Sequence, residues 1–447
     1  MNKTILRRTF AVLFFVLLSV SSLAIFNVKA ESRTITVPDD YSTIQEAINN
    51  AVDGDKVFVK SGIYTESLII NKKIILEGEN KFTTIVKGEG TTALLIKHDN
   101  VKVNGFTFKR TSTMRWYYGI HLLDIENCNI FDNIVTNTFN GIWIVNSHQN
   151  NIENNIVYKN WHGIVLKESN LNIIQNNQVI SNVEKGIRLA NSQENSITMN
   201  YLRSNGYSGI SLERTSSSPG NSDNEIEGNL VEKNGNFGIK IEYGSSNNIV
   251  LGNNVSSNGS GGYDAGIYVG YRRNKITENI ISNNYIGIQL DDENSKFFRN
   301  TIENNRLGGV CDHNRVYKHA FYENNFVGDL VVFDRKSECV WGFNSKGNYW
   351  SDYNGTDYDD DGLGETIYRI DDKNIDRRPL MVPVRFVFDI PDFVPFVLPS
   401  PTPSPQPTVS FEPSDVEFPV LIVASIIIIV LGSIGILTIG VRTKRRS

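Results

Sequence analysis

Short apolar stretches recur along the middle of the chain at a nearly constant spacing, and each one follows a glycine. The glycines stand 21 to 29 residues apart, at Gly119, Gly141, Gly163, Gly186, Gly209, Gly238, Gly266, Gly287 and Gly309. The residues after each glycine read apolar, variable, apolar, as in Ile142-Trp143-Ile144. An alternation of period two predicts a β-strand whose middle residue faces outward while its neighbours are buried. The middle of the chain is therefore predicted to be an array of short strands.

A second motif, Asn-x-Ile-x-x-Asn, has the same period. It begins at Asn150, Asn172, Asn195, Asn224, Asn274 and Asn300, and Asn248 begins a copy in which valine replaces isoleucine. Asparagine tolerates the left-handed conformation that a tight corner requires, and its amide group both donates and accepts hydrogen bonds. Stacked turns would therefore join their asparagines in ladders, and we expect this series to be structural rather than ligand-binding.

Two repeat architectures have a period near 22 residues. Leucine-rich repeats need several leucines and a helical or 3₁₀ return in each unit. Here Ile and Val dominate, and the accompanying Asn, Ser and Gly favour turns over helices. The sequence therefore predicts an all-β fold, a right-handed parallel β-helix. Each turn would hold two or three short strands, and successive turns would lie about 4.8 Å apart.

The two ends of the chain predict a secreted and anchored protein. Residues 1–30 combine basic residues, an apolar run and a small-residue cleavage pattern, which indicate a signal peptide or, alternatively, an uncleaved anchor helix. Residues 418–441 carry no charge and are long enough for one transmembrane helix. The basic tail 442–447 is then cytoplasmic, and the Pro-rich segment 391–417 is a stiff linker. The body is expected at the cell surface, outside the cell.

Between these ends we predict three parts. Residues 31–110 contain an N-terminal cap and the first irregular turns, residues 111–345 contain the Asn-rich β-helix, and residues 346–390 contain a C-terminal cap with an acidic loop. The N-terminal cap is predicted to be a short amphipathic helix that begins at the capping-box sequence from Ser42 to Gln45.

Charge and cysteine content exclude some functions. A net charge of -5 provides no basic field for nucleic acid, so that class of partner is excluded. The three cysteines, Cys128, Cys311 and Cys339, are too few for a disulfide scaffold. They also lack the CxxC spacing of a zinc site.

The segment from Thr43 to Gly78, TIQEAINNAVDGDKVFVKSGIYTESLIINKKIILEG, resembles the start of right-handed β-helix proteins of the NosD-like and pectin-esterase-like kind. The Asn and Gly-Ile repeats resemble the NosD-like, carbohydrate-binding and sugar-hydrolase group. The segment from Gly347 to Leu380 is similar to the one that closes archaeal NosD-like surface proteins. This resemblance covers about residues 35–385 and implies the β-helix fold. It implies no single activity, because the scaffold serves lyases, hydrolases, esterases, adhesins and non-catalytic proteins.

The NosD-like resemblance also implies copper. Copper would need clustered Cys, Met or His side chains. The six histidines are instead scattered at positions 98, 121, 148, 162, 313 and 319. We therefore do not expect a copper site.

An acidic loop near the C-terminal cap has half of a calcium-binding motif. Asp357, Asp359 and Asp361 occupy positions 1, 3 and 5, and a glycine follows at position 6. Position 12 is Tyr368 rather than the usual glutamate. If calcium binds, the predicted ligands are Asp357, Asp359, Asp361, the Leu363 carbonyl and Glu365. A plain acidic turn is the alternative.

Ligand binding is expected on the lateral face, at the outward position two residues after each glycine. These positions read His121, Trp143, Val165, Arg188, Ser211, Lys240, Tyr268 and Gln289. Trp143 and Tyr268 can stack on sugar rings. Arg188 and Lys240 can bind uronate or sulfate groups. These four residues are the predicted carbohydrate-binding set.

Carboxylates follow the same strands and are candidates for catalysis: Glu213, Glu242, Asp291 and Asp292. Glu213 and Glu242 are equivalent in neighbouring repeats, so they would lie about 5 Å apart, a separation that suits a catalytic pair. A solvated acidic edge is favoured, because no catalytic motif of a known family surrounds them.

The sequence therefore predicts a cell-surface β-helix protein that recognises or organises extracellular polysaccharide or glycan. Its partners would be that glycan and, through the C-terminal anchor, the membrane. Three alternatives stay open: a polysaccharide lyase or glycoside hydrolase, a structural stalk or adhesin, and a NosD-like copper-related accessory protein.

Overall fold

The parallel β-helix expected from the repeats is present. The computed structural model describes residues 32–110, 117–215, 220–312, 317–328, 331–332, 337–386 and 396. In these residues the chain winds as a right-handed parallel β-solenoid of about thirteen turns. All of them belong to one compact unit, residues 1–396, and a second unit comprises residues 397–447.

Three sheets run along the solenoid, and we name them A, B and C in the order in which a repeat visits them. Sheet A comprises Thr34–Val37, Lys56–Val59, Ile75–Gly78, Lys102–Asn104, Asn129–Phe131, Asn151–Glu153, Ile173–Gln175, Ser196–Thr198, Glu225–Glu227, Ile249–Leu251, Lys275–Thr277, Lys296–Phe298, Tyr317–Tyr322 and Glu338–Val340. Sheet B comprises Gly62–Thr65, Thr84–Gly88, Thr107–Arg110, Ile134–Thr136, Ile156–Tyr158, Gln178–Ile180, Tyr201–Arg203, Leu230–Glu232, Asn254–Ser256, Ile280–Ser282, Thr301–Glu303, Asn325–Val327 and Tyr349–Trp350. Sheet C comprises Leu68–Ile70, Thr92–Ile96, Tyr118–Leu123, Asn140–Val145, His162–Lys167, Ile187–Ala190, Ser208–Glu213, Phe237–Ile241, Ala265–Val269, Ile286–Leu290, Gly308–Asp312 and Val331–Val332.

The repeat glycines lie at the start of the sheet C strands, and buried residues alternate after them as predicted. Ile142 and Ile144 are fully buried, whereas Trp143 between them is half-buried. The glycines are required by close packing inside the solenoid. A Cβ atom at Gly141 would lie 2.5 Å from Val157 Cγ1. The glycine and the following isoleucine therefore both face inward, and the alternation shifts by one residue at that point.

The core is a set of vertical stacks that change character toward the C-terminal end. In the middle turns, aliphatic side chains lie directly above one another, as Ile152 and Ile174 do. In the last turns aromatic rings replace them. Phe297 stacks on Phe321 at 4.5 Å between ring centroids, and Phe321 stacks on Trp341 at 4.8 Å. Large aromatic rings therefore fill the core of the last turns.

Buried asparagine ladders join the turns, as the repeat motif predicts. In each ladder the Oδ1 atom of one asparagine accepts hydrogen bonds from the turn before it. Asn155, for example, donates to Asn177 Oδ1 from its backbone N–H and from Nδ2, each at 3.0 Å. The ladder between sheets A and B contains Asn133, Asn155, Asn177, Asn200, Asn229, Asn253, Asn279, Asn300, Asn324 and Asn348. Two further ladders run beside sheet C, beginning at Asn150 and at Asn160.

The two roles expected of asparagine belong to different residues. The ladder asparagines are buried, and the left-handed corner residue is the one immediately before them. It is Asn154 before Asn155, but Leu171 or Met199 occupies the same place in other turns, with φ angles of 60° and 53°. Few non-glycine residues adopt such angles, so the ladder hydrogen bonds offset a cost of about 1–2 kcal/mol at each corner.

One α-helix, Ile44–Asn50, is present in the described residues and lies against the first strands. Its N-cap is Thr43, whose hydroxyl accepts from Glu46 N–H at 3.2 Å. The Glu66 carboxylate accepts from two further N–H groups of the first turn. The predicted capping box, which began at Ser42, was therefore one residue early. The buried side chains of the helix are Ile44, Ala47 and Ile48.

After the last turn, a hairpin of Tyr368–Arg369 and Ile375–Asp376 ends the longest asparagine ladder. Asp376 accepts from Asn348 N–H at 2.7 Å and from Trp350 Nε1 at 3.0 Å. Asn348 has no next turn to donate to, and this carboxylate takes the place of the missing asparagine. Burial raises the pKa of Asp376.

Four predicted segments lie outside the described residues: the signal segment 1–30, most of the linker 391–417, the membrane segment 418–441 and the tail 442–447. Within the described part of the chain, no helix has the length and apolar character needed to cross a membrane.

Candidate functional site

The predicted outward residues form one continuous column on sheet C, which we call the outer strip. Five of them are partly exposed, whereas neighbouring side chains bury Val165, Ser211 and Gln289. Strand register pairs each residue with the next along the series His121, Trp143, Val165, Arg188, Ser211, Lys240, Tyr268 and Gln289. Trp143 and Tyr268 are five strands apart, which corresponds to about 24 Å along the solenoid. The strip therefore has the length to contact several consecutive units of an extended polymer.

Aromatic rings are concentrated at the N-terminal end of the outer strip. Trp143 stacks on His121 at 4.4 Å between centroids and contacts Tyr118 at 4.1 Å. Beside them, Trp161 stacks on Phe139 at 6.2 Å, and 40% of Trp161 is exposed. We call these five residues the aromatic patch. Rings that are held against one another in this way present fixed, apolar surfaces to solvent.

Two turns further along, Glu213 lies between two cations. Its Oε1 atom is 2.5 Å from Lys185 Nζ, and its Oε2 atom is 2.9 Å from Arg188 Nε. Ser211 Oγ also donates to Oε1 at 2.7 Å. Burial acts to raise the pKa of Glu213, but the two cations and these hydrogen bonds lower it to about 2. The carboxylate stays ionised, and the group of Lys185, Arg188 and Glu213 carries one net positive charge.

Arg188 retains hydrogen-bonding capacity in this group. Its Nε atom binds Glu213, and its terminal nitrogens bind no other part of the described chain. A guanidinium group offers five donors in a planar fork, which matches a carboxylate or sulfate. The Arg188 side chain is also partly exposed.

Lys240, one turn beyond Ser211, has an aromatic surround. Its Nζ atom lies 2.5 Å from Glu242 Oε1 and donates to the Tyr207 hydroxyl at 2.7 Å. The same nitrogen is 4.9 Å from the ring centroids of Tyr207 and Phe237 and 5.7 Å from that of Tyr268. Burial acts to lower the pKa of Lys240, but Glu242 and Tyr207 raise it. Lys240 is therefore a fixed positive charge that holds three rings in place.

Tyr268 is fixed by Asp291. The Tyr268 hydroxyl donates to Asp291 Oδ2 at 2.9 Å. The ring covers Gly270, where an added Cβ would lie 2.5 Å from the ring carbon Cε1. Burial and the neighbouring carboxylate raise the pKa of Tyr268.

Several buried polar atoms around the outer strip lack a hydrogen-bond partner in the described part of the chain. They are His121 Nε2, Asn140 Oδ1, His162 Nδ1, Ser208 Oγ and Gln289 Oε1. Burial lowers the pKa of both histidines to about 4, so both are neutral near pH 7. Buried polar groups without partners are rare, and small side-chain movements would let a polar ligand or solvent at this face satisfy them.

The four candidate catalytic carboxylates are not equivalent. Glu242 N–H donates to Leu212 O at 3.0 Å, so Glu213 and Glu242 do follow one another on neighbouring strands. Their side chains nevertheless bind different cations, Lys185 and Lys240. With a pKa near 2, Glu213 cannot hold a proton to donate near neutral pH. Asp291 accepts from Tyr268, and burial raises the pKa of Asp292.

Sequence reasoning missed the outward residues immediately before each glycine. Tyr118, His162, Lys185 and Phe237 occupy this position. Tyr118 and Phe237 contact rings of the outer strip, Lys185 pairs with Glu213, and His162 contacts Phe139 of the aromatic patch. The sequence signal was a polar or aromatic residue directly before each of the first six repeat glycines. A regular alternation would have placed that residue inside, and the inward-facing glycine reverses this.

The acidic loop brings its carboxylates together as predicted. One oxygen from each of Asp357, Asp359, Asp361 and Glu365 lies within 4.8 Å of the others. Partial desolvation and the charges of the neighbouring carboxylates raise the pKa of Asp359. Leu363 N–H donates to Asp361 Oδ1 at 2.8 Å, so the chain turns around the cluster. Oxygen donors in this number suit a hard cation such as calcium.

The three-sheet fold and the outer strip together show that this is a parallel β-helix protein with a column of aromatic and charged residues along one sheet. The family described as "Periplasmic copper-binding protein (NosD)" matches residues 48–222 and 207–355. The chain belongs to this family, as the repeats and the N-terminal segment suggested.

Two curated relatives are similar over different lengths. A cell surface glycoprotein of Methanothermus fervidus is 28% identical over 365 residues, which are 77% of this chain and 56% of that protein. A probable ABC transporter binding protein NosD of Stutzerimonas stutzeri is 31% identical over 169 residues, 37% of this chain and 36% of that protein. The chain thus spans little more than half the length of the first and about a third of the second.

Among solved structures, the A-module of the mannuronan C-5 epimerase AlgE4 of Azotobacter vinelandii has a similar fold. The TM-score is 0.58 at 17% sequence identity, over 68% of this chain and 96% of that module. At this identity the likeness concerns the fold alone.

The family description names copper, but the donor atoms here do not fit it. Among the described residues, the acidic loop is the one group of His, Cys, Asp or Glu side chains whose ligand atoms converge. Its donors are all carboxylates, whereas copper prefers imidazole, thiolate and thioether groups. His121, which is half-buried, and His162, which is buried, lie two strands apart on sheet C, and His319 is buried on sheet A.

Proposed function

We propose that the outer strip binds an acidic polysaccharide. The observation that carries the proposal is the column itself, which places the aromatic patch and Arg188 on one face, two strands apart. That separation is about 10 Å. A sugar ring can stack on Trp143 or Trp161 while the carboxylate or sulfate of a nearby sugar binds the terminal nitrogens of Arg188.

Electrostatics favour an acidic over a neutral polysaccharide. The group of Lys185, Arg188 and Glu213 is positive by one charge, and Lys240 is neutralised by Glu242. The positive site is thus local and lies next to the aromatic patch. Small side-chain movements on this face would bring its unpartnered, buried polar atoms into hydrogen bonds with sugar hydroxyl groups.

The proposed location is the cell surface. The names of the curated relatives, a cell surface glycoprotein and a NosD binding protein, support a site outside the cytoplasm. In this proposal helix Ile44–Asn50 caps the first turn, the Pro-rich segment 391–417 spaces the body from the bilayer, and segment 418–441 anchors it.

We further propose that the acidic loop binds calcium and stabilises the C-terminal end of the solenoid. The convergence of four carboxylates supports this proposal. A cation would relieve the mutual repulsion that raises the pKa of Asp359. Calcium would have a structural role here, since the loop belongs to the C-terminal end and not to sheet C.

The test of polysaccharide binding compares the protein with Trp143→Ala and Arg188→Gln variants on an array of acidic and neutral glycans. Phe298→Ala is the matched control, because Phe298 is an outward ring stacked on Tyr322 at 5.0 Å, but on sheet A. We expect both strip variants to bind extended acidic glycans more weakly than the unsubstituted protein does, and the control to bind them as tightly as that protein. Equal binding by all four proteins would refute the proposal.

Assays of product release from the bound polysaccharide distinguish the other candidate functions. An enzyme would release product from a polysaccharide, and Glu242→Gln or Asp292→Asn would abolish that release. A stalk or adhesin without glycan recognition would show neither binding nor product. The fixed ionisation of Glu213 argues against its use as a general acid and favours binding over catalysis.

A further inference from the structure

A cavity of about 420 Å³ lies at the C-terminal end of the solenoid, away from the outer strip. One wall is the segment from Cys339 to Gly347. The other is formed by Lys373 and Ile375 of the terminal hairpin and by Arg377 and Arg378, which follow it. A cavity of this volume is in the range that holds a small ligand, and it is too small for a folded partner.

The charge of this cavity is one-sided. Its described lining contains four cations, Lys346, Lys373, Arg377 and Arg378, and no carboxylate. Lys346 and Lys373 pair with Glu323 and Glu338, which do not line it. Such exposed ion pairs are weak, so an anion in the cavity can compete for these cations.

Arg378 contributes an unsatisfied donor. Its Nη2 atom binds Asp361 Oδ2 at 2.6 Å, which fixes the side chain from the side of the acidic loop. Its Nε atom is buried and has no partner in the described residues. A buried guanidinium donor without an acceptor is costly, and a small movement of the Arg378 side chain toward an oxyanion in the cavity would remove that cost.

The apolar part of the lining is held in a fixed position. Phe343 and Lys346 exchange backbone hydrogen bonds of 2.9 and 3.0 Å across a two-residue turn. The turn residues, Asn344 and Ser345, have φ angles of 49° and 63°, as a type I′ turn requires. Phe343 is 49% exposed. The turn therefore presents an aromatic side chain at the rim of a cationic cavity.

We infer that this cavity binds a single acidic sugar residue, a hexose that carries a carboxylate or sulfate group. The oxyanion would bind Lys373, Arg377 and Arg378, and the sugar face would contact Phe343. Cations beside one exposed aromatic ring match this chemistry better than they match a bare inorganic ion. The inference is independent of the outer strip, because none of the residues involved belongs to sheet C.

The experiment uses the full chain carrying Trp143→Ala, so that binding at the outer strip is removed. Isothermal titration is performed with a trigalacturonate, a 6-sulfated galactose trisaccharide, the unsulfated galactose trisaccharide and inorganic sulfate. In the same background, a double variant with Lys373→Gln and Arg377→Gln is compared with a control double variant with Lys233→Gln and Lys275→Gln. All four of these lysine and arginine residues are exposed, so neither pair leaves a buried charge unpaired. Matching melting temperatures establish that each protein is folded.

We expect one or both acidic trisaccharides to bind, and the Lys373→Gln and Arg377→Gln pair to lower that affinity on the order of tenfold to a hundredfold. The control pair should leave it within about twofold, and the neutral trisaccharide should not bind. The relative affinities of the two acidic trisaccharides identify the preferred oxyanion.

Three results would overturn the inference: no binding of either acidic trisaccharide, equal losses in the two pairs of substitutions, or inorganic sulfate binding as tightly as the trisaccharides. None of these results bears on the outer strip, which is tested separately on glycan arrays with Trp143 intact.

Discussion

Glu213 offers the sharpest test of how the outer face is built, because its stabilising effect depends on pH in a known direction. Its pKa falls from an ordinary value of 4.5 to about 2 in the folded protein. That difference corresponds to about 3 kcal/mol of stabilisation by the ionised carboxylate. The stabilisation is fully present above about pH 5 and disappears as the pH falls through the folded pKa near 2.

The perturbation is Glu213→Gln, which keeps the shape of the side chain and removes its charge. Lys185 and Arg188 then lose their shared partner. The assay is urea unfolding followed by circular dichroism at a series of pH values from 7 to 2.5. At pH 7 the free energy of unfolding should fall by about 3 kcal/mol. The difference from the unsubstituted protein should narrow steadily below pH 5.

The control is Glu89→Gln, which removes a carboxylate whose residue is exposed. It should change the free energy of unfolding by less than about 0.5 kcal/mol at any pH in the series. A Glu213→Gln effect that stays constant between pH 7 and pH 2.5 would refute the reasoning. It would mean that packing of the side chain, and not its charge, stabilises this part of sheet C.

Three further predictions concern the ladders and the acidic loop. Asn177→Ala should lower the free energy of unfolding by roughly 3 kcal/mol in the same urea assay, because the buried Asn155 N–H loses its acceptor and the buried Ile152 carbonyl loses its donor. Asn176→Gly, at the exposed left-handed corner next to it, should be nearly neutral. Asp376→Ala should destabilise by a similar amount, and Asp376→Asn by much less, since an amide oxygen can still accept from Asn348; equal effects of the two would contradict the ladder-end role. Calcium at a hundred times its dissociation constant should raise the free energy of unfolding by about 2.7 kcal/mol, and a chelator should remove that gain and lower the melting temperature. An unchanged melting temperature would exclude the calcium site.

The repetitive part of the fold could be predicted from the sequence because each turn repeats the same two motifs at the same positions. Two motifs with one period define the inward positions, and Ile142, Trp143 and Ile144 lie as the alternation requires. The column from His121 to Gln289 could be predicted from the repeat length and from the outward direction of the second residue after each glycine. Stacking in register leaves no other arrangement for residues at equivalent positions.

The chemistry of the site could not be predicted in the same way. Lys185 and Glu213 are 28 residues apart and meet because long side chains reach across strands, which depends on rotamers and not on spacing. The reversal of alternation at each glycine hid Lys185 and Phe237 from a period-two rule. The cavity beside Phe343 is formed by non-repeating segments, and no periodic signal exists there.

The one-way orientation of the asparagine amides has a consequence for how such a protein can change over generations. Every internal turn offers the same acceptor to the turn before it and the same donors to the turn after it, so the joints are interchangeable. Duplicating or deleting a stretch of about 22 residues would leave every joint matched. Only the two ends, at Thr43 and at Asp376, are made to fit a single neighbour. The number of turns in the solenoid can therefore change by whole repeats, whereas the two caps must be kept for the ends to stay matched.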